Sequence, residues 1–119
     1  MLNHQIDVAQ WGAFFDGISR RIGEDPAYAT ARVFTVRPGE VEGEQEAAWE
    51  RLFGITWEPD EDTITVALDG LDHRIDTPRV IWSDEPVGES VRRVIVISRD
   101  EGRDEIVFRP EADMDALRE

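Results

Sequence analysis

The amino-acid sequence predicts an α+β fold, in which one N-terminal amphipathic helix packs on a mainly antiparallel sheet of about five or six strands, as a roll or open barrel. Apolar residues near the N-terminus follow the helical period. In the rest of the chain, apolar and polar residues alternate in short segments that are separated by turn residues. The 119 residues are expected to form a single domain. Its parts are a helix at about 7–22, a β-rich part at about 29–110 and a short tail at 111–119.

The N-terminal helix has sequence signals at both ends. Asp7 is its expected N-cap, and Gln10 stands three residues later, which is the spacing of a capping box. One broad apolar face follows, and Gly23 is the expected stop at the C-terminal end. The residues of that face are Val8, Trp11, Phe14, Phe15, Ile18 and Ile22.

Strands are predicted where apolar and polar residues alternate between turn residues. Residues 29–37 and 55–57 are expected strands, and residues 63–68 alternate with Ile64, Val66 and Leu68 on the buried side. A further strand at 73–82 contains Pro78, which cannot donate to a ladder and therefore predicts an edge position or a bulge. The final pair of strands is a predicted hairpin that turns at Glu101 and Gly102.

Residues 42–54 are ambiguous. The apolar residues of this stretch have helical spacing, yet the same run is compatible with an irregular strand that ends near Gly54. We expect a short helix or a turn here. The residues with helical spacing are Ala47, Ala48, Trp49, Leu52 and Phe53.

Composition narrows the classes of function. There are 27 acidic residues against 13 basic ones and no lysine, so the formal net charge is −14. This charge repels phosphate and anionic lipid, so we expect neither a nucleic-acid partner nor a membrane partner. The absence of cysteine excludes disulfides and thiol catalysis. With no secretory signal and no long apolar run in the sequence, a cytoplasmic protein is expected.

The acidity is concentrated in residues 40–62, which contain nine acidic residues and a single basic residue, Arg51. One interpretation is adaptation to a high-salt cytoplasm, which predicts greater stability in concentrated salt because salt screens self-repulsion. The other is a surface that binds a basic protein partner. The candidate binding residues of this surface are Glu40, Glu42, Glu44, Glu46, Glu58, Asp60, Glu61 and Asp62.

His73 is the most conspicuous candidate for chemistry, because it lies among three aspartates in the middle of the chain. A zinc site needs three or four convergent ligands, whereas Asp72 and His73 point to opposite faces of a strand. We therefore predict no metal site and no cofactor. The expected role of His73 is structural, with a hydrogen bond to a neighbouring carboxylate or carbonyl.

A pocket between the helix and the sheet is the alternative site. Tryptophans either line ligand pockets or belong to the core and its rim, and the sequence leaves both open. No serine stands in a G-x-S-x-G or S-x-x-K motif, so no catalytic residue is predicted. The expected lining of the pocket is Trp11, Phe15, His73 and Trp82.

Several segments in this order resemble a family of short prokaryotic proteins catalogued as a domain of unknown function. The segments are W-G-A-F-F-D-G-I-S-R near the N-terminus, G-I at 54–55, D-T-I-T-V, H-R-I-D-T-P-R-V-I-W and the closing hairpin. The resemblance covers residues 5–110, although G-E-D-P-A-Y-A-T at 23–30 departs from it as an insertion. It implies a single soluble domain and assigns no catalytic residues.

The sequence therefore favours a non-enzymatic module that binds a basic protein surface through its acidic segment. The alternative is a small-ligand binder or an enzyme with a pocket between the helix and the sheet.

Overall fold

The fold is an open, antiparallel sheet of eight strands with one α-helix packed against it, as seen in a computed structural model that describes residues 2–40 and 43–110. The α+β prediction is confirmed. The strands follow each other across the sheet in the order β1-β6-β7-β8-β2-β3-β4-β5. Their bounds are β1 His4–Ile6, β2 Thr30–Val36, β3 Glu44–Glu58, β4 Thr63–Leu68, β5 Leu71–Asp76, β6 Pro78–Ser83, β7 Arg93–Ser98 and β8 Arg103–Arg109, and the helix α1 is Trp11–Arg21.

The expected number of five or six strands is wrong for two local reasons. The N-terminal residues form a three-residue strand, β1, ahead of the helix. The predicted strand at 73–82 is two strands, because Thr77 has a φ of 50° and turns the chain between β5 and β6. For Pro78, expected at an edge or at a bulge, the structure shows an interior strand, β6, whose register against β7 shifts between Pro78 and Val80. The tail at 111–119 lies outside the described residues.

The predicted helix or turn at 42–54 is also wrong, because residues 44–58 form the 15-residue strand β3. Its first half pairs with β2, and its second half pairs with β4. Register shifts interrupt both ladders, including one between Leu52 and Gly54. A bulge breaks the two-residue alternation of side chains, so the apolar residues of β3 acquire a spacing that resembles a helix.

Helix α1 begins later than predicted. Residues Val8–Gln10 form a 3-10 turn, and neither Asp7 nor Gln10 provides a side-chain cap, so the expected capping box is not formed. Val8 is 59% exposed and does not belong to the buried face. The entry to the helix is instead held by Trp11, whose Nε1 donates a hydrogen bond to the backbone oxygen of Ile6 at 3.0 Å.

The core lies between α1 and the inward side of the rolled sheet. The hydroxyl of Ser19 fixes the helix on β3, because it donates to the backbone oxygen of Ile55 at 2.9 Å and accepts from its N–H at 3.1 Å. Trp11 meets Trp57 edge-on, with 5.0 Å between ring centroids. No helix within the described residues has the length and apolar character needed to cross a membrane.

Replacing Val66 by Ala tests which valines belong to the core. Val66 is fully buried, so losing two methyl groups is expected to lower the free energy of unfolding by about 2–3 kcal/mol. The same substitution at exposed Val8 is expected to change it by less than about 0.5 kcal/mol. Chemical denaturation of both variants measures the difference, and equal losses would contradict the assignment.

Replacing Thr77 by Gly tests the strain at the β5–β6 corner. A β-branched residue in the left-handed region is strained, so glycine is expected to raise the free energy of unfolding by about 1 kcal/mol. Thr65→Gly, inside β4, is the control and is expected to lower it by a similar amount. A destabilised Thr77→Gly protein in the same denaturation assay would show that the corner is not strained.

Candidate functional site

The most developed polar site joins His73 on β5, Asp104 on β8 and Thr35 on β2. Asp104 Oδ1 lies 2.8 Å from His73 Nε2 and accepts a hydrogen bond from Thr35 Oγ1 at 2.5 Å. Thr35 and Asp104 are cross-strand partners, whereas His73 reaches Asp104 from β5, the last strand in the order and not a neighbour of β8. The roll of the sheet therefore brings the three side chains together.

Asp104 faces the interior because it alternates along β8 with buried Ile106 and Phe108. The side chains of His73 and Asp104 are 15% and 11% exposed. A carboxylate withdrawn from water to this degree is costly unless polar groups replace the lost hydration. The imidazole and the hydroxyl provide that replacement, which explains why one aspartate is tolerated among inward apolar residues.

The hydrogen bond to Asp104 also orients the imidazole of His73. An ionised carboxylate only accepts hydrogen bonds, so Nε2 is the nitrogen that donates to it. Within the described residues, the second ring nitrogen, Nδ1, makes no hydrogen bond. The ring is thus held at one nitrogen, and the other has no protein partner in that part of the chain.

These groups open on a cavity of about 340 Å³, which we call the His73 cavity. Its wall is polar: besides His73 it contains the hydroxyls of Thr35, Thr77 and Ser98. It also gathers equal numbers of acidic and basic residues, although acids outnumber bases two to one in the whole chain. The charged residues of the wall are Arg37, Arg74, Arg103, Asp76, Asp100 and Asp104.

The three aspartates of the wall already have hydrogen-bond donors. Asp104 is held by His73 and Thr35, Asp76 accepts from the Thr63 hydroxyl, and Asp100 accepts from the Gly102 N–H. The second contact of Asp76, with Arg74, is a loose one at 4.0 Å.

Arg103 differs from these aspartates. It makes no hydrogen bond or ion pair with any described residue. Arg103 is therefore a cationic hydrogen-bond donor on the cavity wall that no described residue uses.

The structure does not bring the four predicted pocket residues together. Trp11 and Phe15 are 1% and 0% exposed, and they belong to the core under α1. Trp82 is half-buried on β6 and does not line the His73 cavity. Only His73 lines it.

Sequence analysis missed the partners of His73. Asp104 lies 31 residues from His73 and 69 from Thr35, so no local motif connects them. The one available signal was the alternation in R-D-E-I-V-F-R, which places Asp104 on the same side as two core residues.

The described residues of the predicted acidic surface lie in two places. Glu58, Asp60, Glu61 and Asp62 lie together at the turn between β3 and β4, while exposed Glu40 lies in the loop after β2. Glu42 and the side chains of Glu44 and Glu46 are outside the described part of the structure.

The pKa values of two residues at this turn, Glu58 and Asp62, are shifted. A hydrogen bond and charge repulsion from Glu61 raise the pKa of Glu58. The guanidinium of Arg79 holds Asp62 through two hydrogen bonds of 3.1 Å, which lowers the pKa of Asp62. Asp62 is therefore locally neutralised, and Glu58 and Glu61 repel each other.

The described residues contain no group of three or more acidic or histidine side chains arranged to hold a metal ion. Searches of curated proteins and of solved structures find no match to this chain. A model described as a family of unknown function, DUF5335, matches residues 2–117, which is nearly the entire length. The chain therefore belongs to the family of unknown function DUF5335.

Proposed function

We propose that this protein binds a small anionic ligand in the His73 cavity. The observation that supports the proposal is the hydrogen-bonded chain of half-buried Thr35, buried Asp104 and half-buried His73, which comes from three strands and opens on a polar cavity of about 340 Å³. Ligand sites are concave and use a few oriented polar groups for specificity. A hydrogen-bonded imidazole with one unoccupied nitrogen is such a group.

The charge of the ligand follows from the hydrogen bonds of the wall. Each aspartate of the wall accepts at least one hydrogen bond from the protein, whereas Arg103 has no partner among the described residues, and Arg74 makes a loose 4.0 Å contact with Asp76 and a charge interaction with Glu58. Guanidinium groups bind carboxylate and phosphate oxygens through two parallel hydrogen bonds. A ligand with one such group satisfies these donors, and a cation does not.

The proposal is binding and assigns no reaction. Catalysis by a serine or threonine would require its hydroxyl to lie within hydrogen-bond reach of the free imidazole nitrogen. In the described residues the imidazole bonds only to Asp104, and Thr35 donates to the same carboxylate. This arrangement holds His73 in position and activates no hydroxyl.

Titration with inorganic phosphate and, separately, with succinate tests the proposal. We expect at least one of them to shift the imidazole NMR signals of His73, because its ring lines the cavity. His4, on β1 and outside the cavity wall, is the internal control, and its signals should not move. A saturating ligand is also expected to raise the Tm, since a concentration of about 100 Kd adds about 2.7 kcal/mol to the free energy of unfolding.

Arg103→Gln should weaken this binding, and Arg20→Gln is its matched control because Arg20 is exposed on α1 and away from the cavity. A response to phosphate alone would identify a phosphate-type ligand, and a response to succinate alone a carboxylate. Equal shifts of both histidines, or none with either anion, would contradict the proposal.

A second candidate function is binding of a basic protein partner through the acidic turn. The observation that favours it is the pairing of Glu58 with Glu61, which raises the pKa of Glu58 although the charge of Arg74 opposes the shift, whereas Arg79 holds Asp62 through two hydrogen bonds. A cationic partner would relieve that repulsion and gain from the local negative potential. Charge reversal of Glu58 and Glu61 should then slow association and flatten its dependence on salt, and unchanged association would contradict this function.

Glu61→Gln tests the electrostatics of the turn without a partner. Because the pKa of Glu58 is raised, the ionised pair destabilises the folded chain at neutral pH, and this cost disappears as the pH falls through that raised pKa. Removing the charge of Glu61 is therefore expected to raise the Tm at neutral pH and to have little effect in acid.

Arg79→Gln is the control, because it is expected to change the Tm at neutral pH in the opposite direction. The lowered pKa of Asp62 means that its ion pair stabilises the protein above the ordinary pKa of an aspartate, and that this stability is lost as the pH falls through the lowered pKa. The variant should have a reduced Tm at neutral pH, with the difference closing in acid. Thermal melts over a pH series measure both variants, and a reduced neutral-pH Tm of Glu61→Gln would show that the two glutamates do not repel.

A further inference from the structure

The outward side of strands β2, β6, β7 and β8, which we call the outer sheet face, is unusually apolar for a surface away from the core. Along β7, Val94 and Val96 point into the core, so Ile95 and Ile97 point outward. Strands that are apolar on both sides are typical of sheets covered on both sides. Helix α1 packs on the inner side, and within residues 2–40 and 43–110 no helix covers this face.

The outward residues form rows across the strands. The strand register aligns Trp82 with Ile95, Ile95 with Glu105, and Glu105 with Phe34. These side chains are all half-buried. Between them lies a groove of about 310 Å³, whose lining is Phe34, Val36, Ile95, Arg103 and Glu105.

The charge of the outer sheet face is opposite to that of the chain. The outward positions of β2, β7 and β8 hold four arginines and one carboxylate, Glu105, in a protein of net charge −14. The only acid on the inward side of the same three strands is Asp104. The outward arginines are Arg32, Arg93, Arg109 and Arg103, the last of which is the first residue of β8 and lines both the His73 cavity and the groove of this face.

Most of these arginines have no acidic partner among the side chains that the structure describes. Arg93 pairs with Glu105. The guanidinium carbons of Arg32 and Arg109 lie 5.2 Å and 4.5 Å from the ring centre of Trp49, and Arg103 makes no ion pair with the described residues. Positive charges are therefore held close together on an aromatic and aliphatic surface.

We propose that the outer sheet face binds an acidic protein segment that also carries apolar side chains. Negative side chains of the partner would neutralise the unpaired arginines, and its apolar side chains would cover the half-buried groove. The net charge of the whole chain opposes a long phosphate backbone, but a short segment responds mainly to charges within a Debye length of about 8–10 Å. The local charge of this face is positive.

A pair of short synthetic peptides tests the proposal. One alternates Glu and Leu, and its control alternates Lys and Leu, so that the two differ only in charge. We expect the acidic peptide to shift the indole N–H signals of Trp82 on β6 and of Trp49, which lies on β3 beside the outward Arg32 and Arg109. Trp11, in the core, and Trp57, which is half-buried against it, contact each other and should not move.

Arg109→Glu is expected to weaken binding of the acidic peptide by about tenfold. Arg109 does not line the His73 cavity, so this result is independent of ligand binding there. Arg20→Glu makes the same charge change on α1 and should leave the affinity unchanged. Arg109→Gln replaces the reversal if that variant does not fold.

Three outcomes would overturn the proposal. The first is no shift of the two indoles with the acidic peptide at millimolar concentration. The second is an equal shift of the two indoles with the lysine peptide. The third is a concentration-dependent shift without any peptide, which would assign the face to a second copy of the chain.

Discussion

The division of β3 between two ladders is the constraint on which the rest of the structure depends. Its first half pairs with β2 and its second half with β4, with a register shift between Leu52 and Gly54 where the two ladders meet. A bulge of this kind bends a strand and increases its twist. The sheet therefore rolls instead of extending flat, and Ser19 docks α1 on the second half of the same strand. Helix position, core and cavity all follow from that bend.

The roll explains why a polar site exists at all in so small a chain. β5 is the last strand in the order and pairs only with β4 among the described strands, yet its His73 lies 2.8 Å from Asp104 on β8. Without that contact, Asp104 would be an aspartate among core residues with only Thr35 to replace water. The hydrogen bonds of Asp104 therefore connect two distant parts of the sheet and provide the wall of a cavity.

Acidic and basic side chains lie on different surfaces of the folded chain. The acidic turn between β3 and β4 places Glu58 beside Glu61, whereas the outward positions of β2, β7 and β8 hold four arginines and one glutamate. Surface ion pairs contribute little to stability, so the fold does not require that each arginine find a carboxylate. The separation therefore places regions of opposite charge on one small protein.

The sequence by itself determined the elements whose signals are local. The apolar face of Trp11, Phe14, Phe15 and Ile18, the alternation of residues 63–68 and the turn at Glu101 and Gly102 all reappear in the structure. These features depend on neighbours a few residues apart, so spacing and turn chemistry were sufficient to predict them.

The tertiary structure alone decided the rest. Bulges in β3 removed the alternation that identifies a strand, and the turn at Thr77 divided one apparent strand into two. The partners of His73 come from residues 35 and 104. Their proximity is set by the roll of the sheet, a long-range property that no local pattern in the sequence encodes.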